Sequence, residues 1–293
     1  MNSSVKKHTV GFIGIGVMGN SMARHILNAG YPLHVHSRTY AKAQKLCSQG
    51  AVWHETVAHL AKQCQVIITM VGFPTDVESI YLGNGGIFEN ARPGTITIDM
   101  TTSRPDLAIS LYNQGKKAGT HCLDAPVTGG DIGAKNASLS IMVGGDKDIF
   151  TKILPILKLM GGNIHHQGPA GCGQHTKMAN QIAIAAGMVA MCEALSYSQK
   201  AGLNPGKVIE NIGQGAAGSW SLNNLGPRII NDDFTPGFYV KHFIKDMTIA
   251  LESATAMGLD MPGLSLAATL YDQLAARGYE NEGTQALYKL FKG

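Results

Sequence analysis

Short apolar runs alternate with helical hydrophobic periods through the first half of the chain. Runs of strand type occupy residues 9–14, 33–37, 66–71, 95–99, 120–125 and 138–145. Helical patterns lie between them, at about 17–29, 40–49, 75–81 and 104–118. A further helical pattern, 146–161, contains Pro155, which predicts two pieces or a kink. Alternating strands and helices predict a parallel sheet with helices on both faces.

The hydrophobic pattern changes after Gly173. Residues 174–201 are rich in alanine and methionine and predict a long helix that is buried on nearly every side. Residues 205–293 show helical periods separated by glycine and proline, without a strand pattern. We therefore expect an α/β domain over residues 1–168 and an all-helical domain over 169–293. The second domain would include the long helix at about 174–201.

Composition narrows the class of protein. The chain has 293 residues, 44% of them hydrophobic and 15% charged, which is typical of a globular protein. The net charge of +4 comes without a basic run, so no nucleic-acid surface is expected. Five scattered cysteines suit a reducing compartment. We see no signal-peptide cleavage pattern and no segment apolar enough to span a bilayer, so we expect a cytoplasmic protein without a membrane partner.

The segment GFIGIGVMGNSMARHIL contains the pattern G-x-G-x-x-G between a predicted strand and a predicted helix. In that position Gly14 permits a tight turn, Gly16 lets the backbone approach a pyrophosphate, and Gly19 lets the helix pack on the strand. The free N–H groups of the first helical turn, which carries Val17 and Met18, would face the phosphates. The alternative is a merely flexible glycine turn.

The end of the second predicted strand indicates which dinucleotide binds. NAD sites usually carry an acid there, whereas this chain has the sequence His-Ser-Arg-Thr at 36–39. Arg38 offers a guanidinium suited to a 2′-phosphate, and the hydroxyl groups of Ser37 and Thr39 can add contacts. Residues 1–54 contain no Asp or Glu, which also suits an anionic ligand. We predict NADP in preference to NAD; the alternatives are a solvated surface arginine and a chance asymmetry of charge.

Five motifs occur in order along the chain: GFIGIGVMGNSMA, IDMTTSRP, DAPVTGGDIGAKNASLSIMVGG, GCGQHTKMANQ and HFIKDM. Together they resemble the β-hydroxyacid dehydrogenases, which include 3-hydroxyisobutyrate dehydrogenase and tartronate semialdehyde reductase. The resemblance implies a Rossmann domain, a long interdomain helix and a helical C-terminal domain like that of 6-phosphogluconate dehydrogenase. It also implies hydride transfer between a nicotinamide and a small 3-hydroxy acid or its semialdehyde, in a homodimer or homotetramer.

The resemblance also implies roles for individual residues. Lys177 matches the catalytic lysine, and Thr128, Gly129 and Gly130 match the loop that binds the substrate carboxylate. Positions that match cofactor contacts are Val71, Gly72, Phe73, Thr102 and Lys245. For Gly129 and Gly130 the alternative is an ordinary turn, and for Lys245 it is an exposed ion pair with Asp246.

Lys177 could act as general base towards an alcohol and as general acid towards an aldehyde. Asn180 and Gln181 follow it at i+3 and i+4, so their amides would share its helix face and orient it. Many relatives carry Asn-Asn at those two positions, so the sequence does not identify the substrate. The alternative for Lys177 is a lysine whose stem packs while its amine reaches water. Trp220 could line the substrate pocket or pack in the core.

A metal site is not expected, because Cys172 and His175 are two potential ligands without partners at suitable spacing. The sequence thus predicts an NADP-dependent 3-hydroxyacid dehydrogenase or semialdehyde reductase. Two alternatives stay open: a non-catalytic NADP-binding module, and an enzyme of the imine-reductase type with the same architecture.

Overall fold

The computed structural model describes residues 7–292. The chain divides into two compact units, one reaching to Lys177 and the other starting at Met178. The long helix therefore begins in one unit and ends in the other. The predicted domain boundary after residue 168 stays a prediction.

The first unit is built on one nine-stranded sheet. Its strands are β1 (Val10–Ile13), β2 (Leu33–His36), β3 (Val52–Trp53), β4 (Val66–Thr69), β5 (Ile96–Asp99), β6 (His121–Asp124), β7 (Val127–Thr128), β8 (Leu139–Gly144) and β9 (Gly161–Gly168). The order is β3-β2-β1-β4-β5-β6-β8-β7, with β9 paired to β8. Strands β1 to β6 run parallel, which confirms the predicted Rossmann domain.

In residues 7–168, eight helices lie between the strands. They are α1 (Val17–Asn28), α2 (Tyr40–Ser48), α3 (Val57–Ala61), α4 (Pro74–Leu82), α5 (Ile87–Asn90), α6 (Pro105–Lys117), α7 (Gly130–Lys135) and α8 (Lys147–Leu157). The sequence missed α3, α5 and α7, which are too short to show a helical period. It also missed β3 and β7, which have two residues each.

The pattern predicted as a helix over 146–161, in two pieces or with a kink at Pro155, is a single helix that ends earlier than predicted. α8 is one helix that contains Pro155, and it ends at Leu157. Proline has no N–H to donate to the carbonyl group one turn earlier, at Thr151. The helix continues for only two residues after Pro155. Residues from Gly161 onward belong to β9 instead.

The long helix α9 (Cys172–Lys200) starts two residues before the predicted position. It is not buried on nearly every side, because Ala179, Ala183, Ala186 and Ala190 are exposed at helical spacing. By length and composition it could cross a membrane, and no other helix in residues 7–292 meets that test, so our expectation of no such segment was wrong. A core helix of a soluble protein passes the same test, and 44% of its most apolar window is buried inside the protein.

The second unit is all-helical, as predicted. After α9 it contains α10 (Pro205–Ile212), α11 (Trp220–Ile230), α12 (Val240–Ala256), α13 (Pro262–Ala276) and a 3-10 helix (Thr284–Leu290). Its strand-like pairing within residues 178–292 is one isolated bridge, Tyr239 to Gly283. The core packs α9, through Met178, Met188 and Met191, with apolar faces of α12 and α13.

A buried polar row crosses the carboxyl ends of three neighbouring strands. Strand pairing places Thr69 opposite Asp99, and Asp99 opposite Asp124. The Asp99 carboxylate accepts hydrogen bonds from the Thr69 hydroxyl (2.8 Å) and the Thr101 N–H (3.1 Å). Burial raises the pKa of Asp99 to about 6, although these hydrogen bonds oppose the rise.

This pKa predicts a pH dependence of stability. Because the folded-state pKa of Asp99 exceeds the unfolded value of 3.8, its contribution is present below that value and lost as the pH rises through about 6. Asp99→Asn keeps an oxygen acceptor and removes the titration. We expect the wild-type free energy of unfolding to fall by about 2–3 kcal/mol more than that of Asp99→Asn between pH 4 and 7. Denaturant titrations at several pH values measure this difference, and parallel profiles would contradict it.

Candidate active site

The turn after β1 depends on its glycines. Gly14 has φ +101°, and a side chain there would collide with the carbonyl group of Met70. A Cβ on Gly19 would collide with the carbonyl oxygen of Gly14, so the helix can approach the strand only with glycine at this position. The first and third glycines of the motif therefore meet a steric requirement of this turn.

Gly16, unlike Gly14 and Gly19, has no neighbouring atoms that exclude a side chain. A Cβ built on it meets no atom within 4 Å, so the backbone borders open space. Gly16 is the N-cap of α1, and the first turn of that helix contains no acidic residue. Strand β1 lies between β2 and β4, where the order of the strands reverses. A helix N-terminus at such a point suits a pyrophosphate, so these residues fit a dinucleotide.

The two residues that open α1 differ in exposure. Val17 is 62% exposed, whereas Met18 is partly buried and packs against the core of the sheet. An exposed aliphatic side chain at the start of this helix is available to cover a bound ring. The predicted contacts of both residues with a cofactor stay predictions.

Ser37, Arg38 and Thr39 connect β2 to α2. Thr39 is the N-cap of α2, and Ser37 precedes Arg38 in the loop. The Arg38 side chain is 88% exposed, and its Nη1 lies 3.6 Å from Oδ1 of Asp76 in the first turn of α4. The position is open to a ligand, as a phosphate contact requires. A solvated surface arginine would have the same exposure.

The loops after β4 and β5 are joined to each other. The N–H of Val71 donates to the Thr101 hydroxyl at 3.0 Å, and Thr101 is in turn held by Asp99. Phe73 is the N-cap of α4 and is 40% exposed. Gly72 and Thr102 lie in these two loops, at the same edge of the sheet as the glycine turn. The predicted cofactor-contacting loops therefore share one edge of the sheet.

Asp124 fixes the start of α9. Its Oδ1 accepts the N–H of Gly171 at 2.8 Å, and its Oδ2 accepts the N–H of Gln174 at 2.9 Å. The carboxylate thus satisfies N–H groups that a helix start leaves without internal partners. Burial raises the pKa of Asp124, while these backbone hydrogen bonds oppose the rise. A side chain on Gly173 would collide with the carbonyl group of Met142, so only glycine allows this approach.

Gln174 links the same helix to the loop after β5. The side chain is fully buried; its amide oxygen accepts the N–H of Ser103 at 2.9 Å and its amide nitrogen donates to the carbonyl of Thr101 at 2.8 Å. Lys177 follows one helical turn later, in the second turn of α9 rather than the first, and is 6% exposed. Its burial does not fit the alternative of a lysine that reaches water.

Asp99, Asp124 and Gln174 were not predicted as site residues. Each one stands inside a motif or at the end of a predicted strand, which is the signal that could have found them. Their partners lie far away in sequence: Gln174 is 71 residues from Ser103, and Asp124 is 50 residues from Gln174. No local pattern indicates such pairs.

The predicted carboxylate loop begins in β7. Thr128 is half-buried; Gly129 and Gly130 both have positive φ, +124° and +63°, which favours glycine. A Cβ on Gly130 would meet open space, so its backbone is accessible. Ordinary turns also place glycine at positive φ, so the turn alternative stays open and the role in carboxylate binding stays a prediction.

In the second unit, polar side chains form a hydrogen-bonded chain. The Asn180 amide donates to the Gln181 amide oxygen at 2.7 Å, and Gln181 donates to Oδ2 of Asp246 at 2.6 Å. Oδ1 of Asp246 lies 3.0 Å from the Lys245 amine, at ion-pair distance although without hydrogen-bond direction. The ion pair is buried, with side chains 12% and 1% exposed, so our alternative of an exposed pair was wrong. Sequence reasoning missed Asp246 as the partner of Gln181.

Trp220 begins α11 and is 61% exposed. Core packing, one of its two predicted roles, is therefore wrong. A side chain of this size and exposure is available for a ligand, and its predicted place beside the substrate stays a prediction.

Cys172 and His175 lie at the start of α9, the first half-buried and the second exposed. Across residues 7–292, no three or more His, Cys, Asp or Glu side chains are grouped so that they could hold a metal ion. Asp124 and Gln174, which lie near them, are bonded to backbone groups.

Comparison with known proteins identifies the family. Residues 9–168 match the NAD-binding domain of 6-phosphogluconate dehydrogenase, and residues 171–291 match the NAD-binding domain of NADP-dependent 3-hydroxyisobutyrate dehydrogenase. The uncharacterized oxidoreductase YkwC of Bacillus subtilis is 60% identical over 97% of this chain and 99% of its own. The 2-hydroxy-3-oxopropionate reductase of Escherichia coli is 38% identical, over 92% of each chain.

A solved structure of Mycobacterium tuberculosis 3-hydroxyisobutyrate dehydrogenase with L-serine has a TM-score of 0.90 and 28% identity. The match covers 98% of this chain and 100% of that one. With its glycine turn, its Rossmann sheet and its helical second unit, this chain belongs to the β-hydroxyacid dehydrogenase family of NAD(P)-dependent oxidoreductases.

Proposed function

We propose that the protein is an NADP-dependent reductase or dehydrogenase in which Lys177 transfers the proton that accompanies hydride transfer. The observation that carries the proposal is the placement of Lys177. It is buried one turn after Gln174, in a helix that Asp124 and Gln174 fix to the carboxyl edge of the Rossmann sheet. That edge also carries the glycine turn.

The division of work follows from the chemistry. A bound nicotinamide supplies or accepts the hydride. Lys177 accepts the hydroxyl proton in oxidation and returns it to the carbonyl oxygen in reduction. The backbone N–H groups of Gly129 and Gly130, with the Thr128 hydroxyl, hold the substrate carboxylate.

In this proposal Asn180 and Gln181 act with Lys177 through their amides, and Lys245 contacts the cofactor. The bond from Gln181 to Asp246 fixes the orientation of the Gln181 amide, because a carboxylate accepts only from its nitrogen side. The Gln181 oxygen then accepts from Asn180, so one carboxylate orients both amides.

The substrate is proposed to be a small 3-hydroxy acid or its semialdehyde. The names of two similar proteins, a 2-hydroxy-3-oxopropionate reductase and a 3-hydroxyisobutyrate dehydrogenase, support this class. A non-catalytic NADP-binding module is the competing function, and the match of Lys177 to the catalytic lysine of the family argues against it. A cytoplasmic location and a homodimer or homotetramer stay predictions from composition and resemblance.

Lys177→Ala tests the proposed function. We expect kcat to fall by about 100-fold or more, since general acid–base catalysis contributes about that much, while the Kd for NADPH changes by less than about twofold. NADPH oxidation is followed with succinic, methylmalonate and tartronate semialdehydes and glyoxylate. Lys200→Ala, at the exposed end of the same helix, is the matched control. Unchanged turnover in Lys177→Ala would reject the catalytic role.

Arg38→Asp tests the choice of dinucleotide. It places a carboxylate where NAD sites carry one and removes the guanidinium. We expect kcat/KM with NADPH to fall by at least about tenfold relative to NADH, because a charge-assisted hydrogen bond is lost. Lys45→Asp makes the same charge change on the exposed face of α2 and should leave the ratio unchanged. Equal losses with both cofactors, or wild-type preference for NADH, would contradict the assignment.

Gln174 is a positioning residue in this proposal, since it joins the helix of Lys177 to the loop of Thr101 and Ser103. Gln174→Met has a similar length and loses both hydrogen bonds. We expect a loss of stability of about 1–3 kcal/mol together with a fall in kcat that exceeds the change in KM. Thermal melts and steady-state kinetics well below Tm separate the two effects.

The matched control for this prediction is Gln285→Met. Gln285 is also buried, and its amide donates to the carbonyls of Asp233 (3.0 Å) and Thr235 (3.2 Å) in the second unit. The Gln285→Met variant should lower Tm by about as much as Gln174→Met does and leave kcat unchanged. If both variants reduce kcat in proportion to their loss of Tm, Gln174 has only a structural role.

A further inference from the structure

Arg38, proposed to bind a 2′-phosphate, already faces an anionic group. Asp76 lies at the start of α4, and its Oδ1 is 3.6 Å from the Arg38 Nη1. The strand order β2-β1-β4 places the loop of Arg38 on one side of the glycine turn and the loop leading to α4 on the other. The segment 7–54 has no acid of its own, so this carboxylate comes from the next part of the chain.

The other carboxylate oxygen of Asp76 is unusual. Oδ2 is buried, yet it has no hydrogen-bond partner among residues 7–292. An acid in the first turn of a helix is favoured by the helix dipole, which explains a charge at this position. The dipole does not explain a buried oxygen without a donor, because leaving an acceptor unpaired costs free energy. The Asp76 side chain as a whole is 26% exposed, so it borders the surface beside Arg38, where a ligand can approach it.

The two forms of the dinucleotide differ at one group. NAD carries a 2′-hydroxyl, which can donate a hydrogen bond, whereas NADP carries a phosphate, which is anionic and only accepts at neutral pH. Arg38 favours the phosphate. A carboxylate within ion-pair distance of the same guanidinium opposes it, both by repulsion and by occupying the guanidinium. The same carboxylate is a suitable acceptor for a hydroxyl.

We propose that Asp76 is a specificity-determining residue that opposes the 2′-phosphate at Arg38 and accepts a hydrogen bond from a ribose hydroxyl, so that the site binds NAD as well as NADP. The two residues have opposite effects: Arg38 raises the affinity for NADP, and Asp76 lowers it. This inference rests on the proposed role of Arg38 in the function above.

Asp76→Asn tests the inference without changing the size of the side chain. Calorimetry with 2′,5′-ADP and 5′-AMP, together with NADPH and NADH, measures the 2′-phosphate contribution directly and needs no turnover. We expect the Kd for 2′,5′-ADP and NADPH to fall by about fivefold to tenfold. The Kd for 5′-AMP and NADH should stay the same or rise slightly. Added salt should reduce the gain, since it screens the charges.

Asp106→Asn is the matched control. Asp106 also lies in the first turn of a helix that begins with proline, and it pairs with an arginine, Arg104, at 2.9 Å. The Asp106→Asn variant should leave all four dissociation constants unchanged. The role of Asp76 would be overturned if Asp76→Asn changed the dissociation constants of ligands with and without a 2′-phosphate equally, or did not change them.

Arg38→Gln separates this inference from the proposed function. If Arg38→Gln weakens 2′,5′-ADP but Asp76→Asn changes nothing, only the role of Asp76 is overturned. If neither variant changes the ratio of 2′,5′-ADP to 5′-AMP binding, the NADP assignment fails together with it. If the wild-type protein binds neither nucleotide, dinucleotide binding at this edge of the sheet is itself rejected.

Discussion

The hydrogen bonds of the Asp124 carboxylate fix the start of α9 to the sheet of the first unit. The carboxylate sits at the end of a buried strand and accepts backbone N–H groups from Gly171 and Gln174, so the sheet itself caps the longest helix of the protein. Gln174 then fixes the loop after β5 to the same helix through two further hydrogen bonds. Because Gln174 lies one turn before Lys177, these bonds to the sheet and to the loop after β5 fix the helix backbone that carries Lys177.

This arrangement has a cost in free energy. Asp99 and Asp124 lie opposite each other on neighbouring strands, both nearly without exposure, and burial raises the pKa of each. Their hydrogen bonds offset the desolvation only in part. Buried polar groups that are fully bonded specify one arrangement of the loops they hold. The row of Thr69, Asp99 and Asp124 therefore gives up some stability at neutral pH and fixes the loops at the edge where the cofactor is proposed to bind.

Much of the fold followed from hydrophobic pattern alone. The parallel strands β1, β2, β4, β5 and β6 were predicted because each lies in a short apolar run bounded by turn residues, and the long helix because its apolar pattern extends over many residues. The two-residue strands β3 and β7 and the helices of four to six residues, such as α7, were missed because they are too short to show a pattern. Pro155 was expected to divide or kink its helix, and α8 is one helix that ends two residues after the proline.

The sequence by itself determined the glycine turn, the His-Ser-Arg-Thr segment, the order of motifs and the buried lysine, because each of these is a local pattern with a steric or chemical meaning. Only the tertiary structure decided which carboxylate meets which partner. Asp76 faces Arg38, and Asp246 holds Gln181 from 65 residues away. Such pairs depend on how distant loops and helices come to lie side by side, which depends on packing between elements and leaves no periodic trace in the chain.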